Sequence, residues 1–244
     1  QAFPRPSLAV DVAVMTVAPA AWLHPGAEPD TWSLAVLLLR RSEAPDAGRW
    51  SLPGSFVRER ERLSDAVLRT LADKCGLEAL APRQLHVFDD PGRDDRGWVI
   101  SVAHIEVVPA DSLAHVLEDD RLTLAGIAPT PATQSVASRG SAQMVNPPGR
   151  QRTLPFDHDE IVRLAVSDLR DRYRVAPDPD GLVPEPFTLL ELRRTHEAVL
   201  GEALQKDTFR RQMAPHLREL DEMSDGTVGR PARLFEHLPP KDQN

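Results

Sequence analysis

The chain is poor in several features that mark particular classes of protein. It has one cysteine, Cys75, among 244 residues, which excludes an intramolecular disulfide and favours a reducing, cytoplasmic setting. Its longest purely apolar run, 34–39, is six residues long, whereas a helix that spans a bilayer needs about 20. The first residues contain neither a basic nor an apolar segment, so we expect no signal peptide. These features exclude a disulfide-stapled secreted scaffold and an integral membrane protein.

The charge balance argues weakly against a protein that coats nucleic acid. Acidic residues outnumber basic ones by 37 to 29, for a net charge of −8. Positive charge nevertheless gathers in the stretch 205–218, which holds Lys206, Arg210, Arg211 and Arg218. A basic island on an acidic chain can bind phosphate locally, while the acidic remainder discourages non-specific binding. The 41% of hydrophobic residues suffices for a sizeable core, and the length indicates one large domain or two small ones.

Hydrophobic periodicity predicts strands and one helix in the first part of the chain. The predicted strands cover 8–17, 33–39 and 98–108. Between the last two, 64–75 repeats its apolar residues at helical spacing, with Ser64 as a candidate N-cap and Gly76 where a glycine ends a helix.

The second part of the chain is predicted to be mainly helical. Pro, Ser and Gly without periodicity over 129–152 predict a long loop. The helices and the final hairpin are predicted at 158–174, 188–200, 205–222 and 226–235. We therefore expect two domains, 1–150 and 151–244.

The helix at 64–75 carries a motif that resembles the Nudix box. That signature is a glycine, five residues, Glu, seven residues, then Arg-Glu-apolar-x-Glu-Glu-x-Gly-apolar. Ser55 takes the glycine position, Glu61 the first glutamate and Arg69 the arginine; Leu71, Gly76 and Leu77 also match.

The departures from the motif fall on its chemistry. Thr70 replaces one glutamate, Asp73 stands for the second and Lys74 replaces the third. Positions i, i+3 and i+4 share one helix face, where three carboxylates would hold the Mg²⁺ that diphosphate hydrolysis uses. Because an ammonium repels a divalent cation, we expect no catalytic residue, no metal and no enzymatic activity. The alternative is a surface helix of mixed charge that only happens to fit the motif.

A second stretch, 93–98, resembles the Arg-Asp-Pro-Arg-Gly segment of ADP-ribose-type Nudix proteins. Arg93 and Arg96 could hold a diphosphate as bidentate donors, although a solvated turn with neutralised charges fits the spacing equally well. Trp50 and Trp98 could stack on an adenine, although a buried tryptophan is more often part of the core. The predicted effector-binding residues are Arg49, Trp50, Glu61, Arg69, Asp73, Arg93 and Arg96.

The segments after residue 187 suggest a helix-turn-helix with a wing. Recognition helices present polar and cationic groups to the major groove and to phosphates. The predicted DNA-binding residues are Thr188, Lys206, Thr208, Arg210, Arg211 and Gln212 in the helices, and Thr227, Arg230 and Arg233 in the wing. A small helical domain with a basic surface is the alternative.

The combination is more specific than either half. A degenerate Nudix box, the segment Phe156, Asp157 and His158, and a winged helix together resemble the Nudix-related transcriptional regulators of NAD metabolism, the NrtR family. The resemblance implies an α/β Nudix-like sandwich followed by a C-terminal winged helix-turn-helix. It implies a homodimeric, cytoplasmic repressor of NAD biosynthesis or salvage genes that binds palindromic operator DNA, senses ADP-ribose or a related NAD metabolite, and uses no cofactor.

Two rival functions follow from the same residues. One is an active, Mg²⁺-dependent ADP-ribose or nucleotide pyrophosphatase, against which Thr70 and Lys74 count. The other is a constitutive repressor with a vestigial sensor. We interpret His158 as a helix-start residue beside a carboxylate rather than as a metal ligand, and Cys75 as buried or inert.

Overall fold

A mixed β-sheet forms the centre of the first domain. The structure is a computed structural model that describes residues 4–24, 26–28, 30–128, 144–145, 151–224 and 231–238. The strands of this sheet are β1 (Ser7–Pro19), β2 (Trp32–Arg40), β3 (Trp50–Ser51), β4 (Gly54–Phe56), β5 (Arg83–Phe88), β6 (Val99–Val107), β7 (Leu122–Ile127) and β8 (Met144–Val145). Their order is β5-β6-β1-β2-β7-β8, with β3 beside β2 and β4 beside β1. Strands β1 and β6 run parallel, and the other pairs are antiparallel.

Helices cover both faces of this sheet. Along β1, Met15 contributes to the core on one face and Val14 to the core on the other, which is why the strand is almost continuously apolar. The helices are α1 (Ala20–Leu23), α2 (Leu63–Cys75), α3 (Asp111–Ala114), α4 (His158–Tyr173), α5 (Leu189–Leu200) and α6 (Lys206–Met213). Helix α2 packs on one face, and α4 with the end of α5 packs on the other. The result is an α/β sandwich, as predicted.

The last part of the chain is a winged helix. A second sheet of β9 (Phe187–Thr188), β10 (Leu217–Met223) and β11 (Arg233–His237), in the order β10-β11-β9, packs against α5 and α6. Its separate core includes Phe187, Leu192, Phe209, Met213 and Phe235. Because Val199 and Leu200 of α5 lie in the core of the large sheet, the winged helix packs directly on the first domain.

Most predicted elements are confirmed, and two predictions are wrong. The helix predicted over 205–222 ends at Met213, because Pro215 interrupts it and Leu217–Met223 pairs with β11 as a strand. Ser64 is not an N-cap, because α2 begins at Leu63 with Arg62 in the cap position and no side-chain cap. Gly76 does end α2, in the left-handed conformation with φ 65°.

The structure bears only in part on three other expectations. Most of the loop predicted over 129–152 lies outside the described residues. The division into 1–150 and 151–244 remains a prediction, and α4, which follows that boundary, packs on the large sheet. Within the described ranges, no helix has both the length and the apolar character needed to cross a bilayer.

Candidate effector cleft and DNA-binding face

A cleft of about 370 Å³ lies between α2, the β3–β4 turn, the loop before β6 and the start of α4. Its basic lining residues are Arg40, Arg41, Lys74, Arg93, Arg96 and Arg121. Its acidic lining residues are Asp11, Glu43, Asp73 and Asp94. The cleft therefore brings together Asp73, Arg93 and Arg96 of the predicted effector-binding residues.

The back wall of the cleft is a buried ionic network. The Arg93 side chain is only 4% exposed and donates to both Asp157 oxygens, at 2.8 and 2.6 Å, and to Asp11 at 3.3 Å. His158 lies 3.3 Å from Asp11 through Nε2 and accepts the Leu52 N–H at Nδ1, at 3.0 Å. His158 is thus a helix-start residue beside a carboxylate, as interpreted from the sequence. Arg93, in contrast to its predicted role as a free diphosphate donor, is already bound to two carboxylates.

Asp11 is ionised within this wall. Burial alone would raise the pKa of its carboxyl, but His158, a hydrogen bond of 2.6 Å from Ser101 and the charge of Arg93 hold that pKa at about 2. The Asp11 carboxylate is therefore a fixed negative charge that Arg93 and the Nε2–H of His158 bind.

Two cations of the cleft lie against aromatic rings. The Arg96 guanidinium lies 5.1 Å from the Phe56 ring centroid and 5.5 Å from that of Phe156, and it pairs with Asp94 at 2.6 Å. Arg41 lies 5.1 Å from the same Phe156 ring. Burial lowers the pKa of Arg41 most, the charge of Arg96 lowers it further, and Asp46, Asp11 and Asp94 act in the opposite direction. Arg41 and Phe156 were not predicted as site residues. Phe156 could have been, because it belongs to the segment Phe156, Asp157 and His158 that carries the family resemblance.

The box helix lacks the donors that a divalent metal requires. The Thr70 hydroxyl is buried, donates to the Ala66 carbonyl at 2.6 Å and lies 2.6 Å from the Ser55 hydroxyl. The Lys74 ammonium donates to the Gly54 carbonyl oxygen at 2.5 Å. A hydroxyl pair and an ammonium do not fit Mg²⁺, which binds carboxylate and other free oxygen ligands. Among the described residues, no three His, Cys, Asp or Glu side chains converge as a metal site.

The remaining predicted effector residues lie outside the cleft lining. Glu61 binds Arg69 through two hydrogen bonds of 2.6 and 2.8 Å, and Arg69 with the Arg58 N–H holds the pKa of Glu61 at about 2. Arg49 pairs with Asp46, and the backbone of Trp50 exchanges two hydrogen bonds with the Gln151 side chain. These four residues brace the chain around the cleft, and their direct role in effector binding stays a prediction. Cys75 is buried, and burial raises its pKa to about 12, so the thiol is inert as expected.

The predicted recognition helix α6 exposes its basic residues. Phe209 and Met213 are buried in the winged-helix core, whereas the five polar residues predicted to contact DNA are exposed: Lys206, Thr208, Arg210, Arg211 and Gln212. None of its three cations forms an ion pair with an acidic side chain of the described residues. Gln212 differs from the others because its amide donates to the Arg174 carbonyl, at the end of α4, at 2.7 Å.

The other predicted DNA contacts have varied positions. Thr188 is the N-cap of α5 and forms a capping box with Glu191. Arg233 lies on β11 and pairs with Glu219 across the hairpin at 2.8 Å. Thr227 and Arg230 lie outside the described residues.

Comparison with known proteins matches both parts of the chain. The NUDIX domain profile matches residues 20–124, and the profile described as the NrtR DNA-binding winged helix domain matches 181–237. The chain therefore combines a NUDIX domain with a winged helix domain of the NrtR type. It is 27% identical to an ADPR-responsive transcriptional repressor, NtrR, of Acinetobacter baylyi, over 96% of this chain and 82% of that protein.

Other similar proteins include a solved structure of the whole fold and an enzyme. The crystal structure of Shewanella oneidensis NrtR complexed with a 27mer DNA has a TM-score of 0.68 and 28% identity, covering 95% of this chain and 93% of that one. An ADP-ribose pyrophosphatase of Methanocaldococcus jannaschii is 39% identical over 70 residues, which are 29% of this chain and 41% of that protein. The local likeness to an enzyme makes the residues of the box, rather than the fold, the basis for judging activity.

Proposed function

We propose that this chain is a transcriptional repressor of NAD biosynthesis or salvage genes that responds to ADP-ribose or a related NAD metabolite. The observation that carries the proposal is the exposed basic face of α6, on a winged helix that packs directly on the domain with the basic cleft. The Acinetobacter relative, an ADPR-responsive repressor, supports the same combination.

The DNA-binding half follows from the charges of α6. Lys206, Arg210 and Arg211 are free of acidic partners among the described residues, so they can neutralise phosphates and reach base edges. We propose a homodimer whose two recognition helices contact palindromic half-sites about one helical turn apart. A cytoplasmic location is part of the proposal, because operator DNA lies there.

The sensing half is proposed to bind but not to hydrolyse its ligand. The cleft contains more basic than acidic side chains and two phenylalanine rings, a combination suited to a diphosphate attached to a nucleoside. Thr70 and Lys74 remove two of the carboxylates that would position Mg²⁺ for hydrolysis. We propose 1–150 as the sensing part and 151–244 as the DNA-binding part.

The deciding experiment is a fluorescence-anisotropy titration of full-length protein onto promoter DNA from its own and neighbouring NAD genes. It is run at fixed salt, since phosphate contacts make affinity steeply salt-dependent, and with and without ADP-ribose. We expect selective binding that ADP-ribose weakens, and no phosphate release from ADP-ribose with Mg²⁺ or Mn²⁺ in a coupled assay.

Paired variants test the DNA-binding face. Arg210→Ala with Arg211→Ala should abolish operator binding without unfolding the protein. The matched control, Arg60→Ala with Arg62→Ala, removes two exposed arginines beside α2 and should leave binding unchanged. Undiminished affinity of the α6 variant would refute the recognition-helix assignment. Selective binding that no NAD metabolite alters would instead favour a constitutive repressor, and rapid hydrolysis would favour the pyrophosphatase.

A further inference from the structure

One lysine occupies the part of the cleft where a metal-dependent diphosphate site would place a carboxylate. Lys74 lies four residues after Thr70 on α2, and its side chain crosses to the Gly54 carbonyl oxygen of β4, 2.5 Å away. An ammonium has three donors and no acceptor. With one donor on Gly54, the Lys74 side chain keeps two for another partner, and it lines the cleft.

The backbone of β4 is shaped to receive this ammonium. A Cβ added at Gly54 would lie 2.1 Å from Asp11 Oδ1 and 3.0 Å from the Val10 carbonyl, so no side chain fits there. The glycine lets β4 pass against Asp11 while its carbonyl oxygen meets Lys74. Asp11 itself is bound by Arg93 and by the Nε2–H of His158.

The Thr70 position is closed to a metal as well. Because a hydroxyl has one proton and Thr70 gives its own to Ala66, Ser55 must donate in the Ser55–Thr70 bond. The pair is thus a neutral, satisfied contact between α2 and β4. It occupies the space beside Lys74 without adding negative charge.

Three cations of the cleft, Lys74, Arg41 and Arg96, lie close enough for their charges to interact. Burial and the charge of Arg41 lower the pKa of Lys74, so Lys74 and Arg41 are close enough to repel each other. The facing acids are Asp11, Asp94, Asp73 and Glu43. Asp11 is bound by Arg93 and Asp94 by Arg96, while Asp157 and Asp119, outside the lining, pair with Arg93 and Arg121. A dianionic diphosphate would relieve this repulsion, as metal ions relieve the opposite repulsion in carboxylate-lined sites.

We infer that the Lys74 ammonium takes the place of the divalent metal, so that Lys74, Arg41 and Arg96 bind a diphosphate directly and without Mg²⁺. The identity of the nucleotide rests on the proposed sensing function. The direct binding of a diphosphate by Lys74 does not depend on it. It explains how a Nudix fold keeps its ligand preference after losing its metal carboxylates.

Calorimetric titration of the full-length protein tests the inference, with inorganic pyrophosphate and ADP-ribose as separate ligands. Each titration is run in EDTA and in excess Mg²⁺. The wild type should bind in EDTA, with affinity for ADP-ribose that changes less than about twofold on adding Mg²⁺. Lys74→Met should lose about tenfold or more in EDTA, the loss expected for one charge-assisted hydrogen bond, with no recovery in Mg²⁺.

A charge-reversed variant and a control sharpen the result. Lys74→Glu should lose more affinity than Lys74→Met in EDTA and regain part of it in Mg²⁺, because a carboxylate would then stand beside Asp73. Arg62→Met, an exposed residue that precedes α2 and lies outside the cleft lining, should bind as the wild type does. Circular dichroism of each variant verifies the fold.

The outcomes separate the inference from the proposed function. Binding that requires Mg²⁺, binding in EDTA that Lys74→Met leaves intact, or failure to bind either ligand in any buffer would overturn the inference. Lys74-dependent binding of pyrophosphate without binding of ADP-ribose would support the inference and refute ADP-ribose as the effector.

Discussion

Asp11 shows how one residue links the stability of the fold to the cleft. Its side chain is buried, yet His158, Ser101 and Arg93 keep its pKa at about 2 rather than near 3.8. A carboxyl whose pKa is lower in the folded state stabilises that state when ionised, here by about 2 kcal/mol. The contribution is complete above about pH 4 and is lost as the pH falls towards 2.

We therefore expect Asp11→Asn to show its largest loss of unfolding free energy near neutral pH. Urea denaturation between pH 7 and pH 3 should show the difference from the wild type shrinking as the pH falls. Ser101→Ala, which removes one hydrogen bond to the ionised carboxylate, should raise the folded-state pKa of Asp11, so its stability should fall less between pH 4 and pH 2 than that of the wild type. A difference that stayed constant from pH 7 to 3 would contradict an ionised Asp11 with a depressed pKa.

At the scale of elements, the connector between α4 and α5 depends on one buried carboxylate. Asp178 is 3% exposed and accepts hydrogen bonds from the Tyr173 hydroxyl at 2.6 Å, the Leu182 N–H at 2.9 Å and the Val183 N–H at 2.7 Å. Its own N–H donates to His196 Nε2 of α5 at 3.2 Å. The carboxylate thus holds the connector between the two domains in one shape.

Asp178→Ala should lower the free energy of unfolding by about 2–4 kcal/mol, because three donors lose their acceptor inside the protein. Asp178→Asn keeps one acceptor oxygen and should cost less. The exposed Asp171 on α4, which pairs with Arg174, offers a control: Asp171→Ala should change stability by at most about 1 kcal/mol. Equal losses for Asp178→Ala and Asp171→Ala in chemical denaturation would refute the role of the connector.

The elements also show what the sequence could and could not predict. Periodicity located β1, α2 and α4, because their apolar spacing matches the packing of both sheet faces. The same periodicity wrongly extended α6 across Pro215, because Leu217 continues the helical spacing although it lies in a strand that pairs with β11. Strand β5 was missed because its side chains are mostly half-buried or exposed and leave no apolar pattern.

In the candidate site, too, the sequence predicts what local spacing determines and misses what only the tertiary fold brings together. The motif identified Asp73 and Lys74 because they lie within one helix, where spacing alone determines the shared face. Arg41 and Phe156 are more than 100 positions apart in the sequence and meet only through the tertiary fold, so no local pattern could pair them. Arg93 was found as a cation of the cleft, but its two carboxylate partners lie on other elements.

At the scale of the whole molecule, α4 spans from the cleft to the recognition helix. Its first residues meet the cleft wall through Asp157 and His158, which bind Arg93 and Asp11. Its last turn reaches α6, because the Arg174 carbonyl accepts the Gln212 amide. Sixteen residues of α-helix cover about 24 Å, so one rigid element contacts both proposed sites.

This geometry predicts that the Arg93–Asp157 ion pair transmits ligand binding to DNA binding. A ligand that contacts the cleft wall can change DNA binding only if it binds two positions of α4 with different affinities. Asp157→Asn removes the charge that ties α4 to that wall. We expect the variant to bind operator DNA, while ADP-ribose changes its operator affinity much less than it changes that of the wild type. The same factor must appear when ADP-ribose affinity is measured with and without saturating operator, because coupling is reciprocal.

Asp168→Asn, on the same helix but paired with Arg83 away from both ends, should keep the wild-type coupling. Thermal denaturation verifies that both variants are folded. If Asp157→Asn and Asp168→Asn then respond to ADP-ribose alike, the signal does not pass through the start of α4.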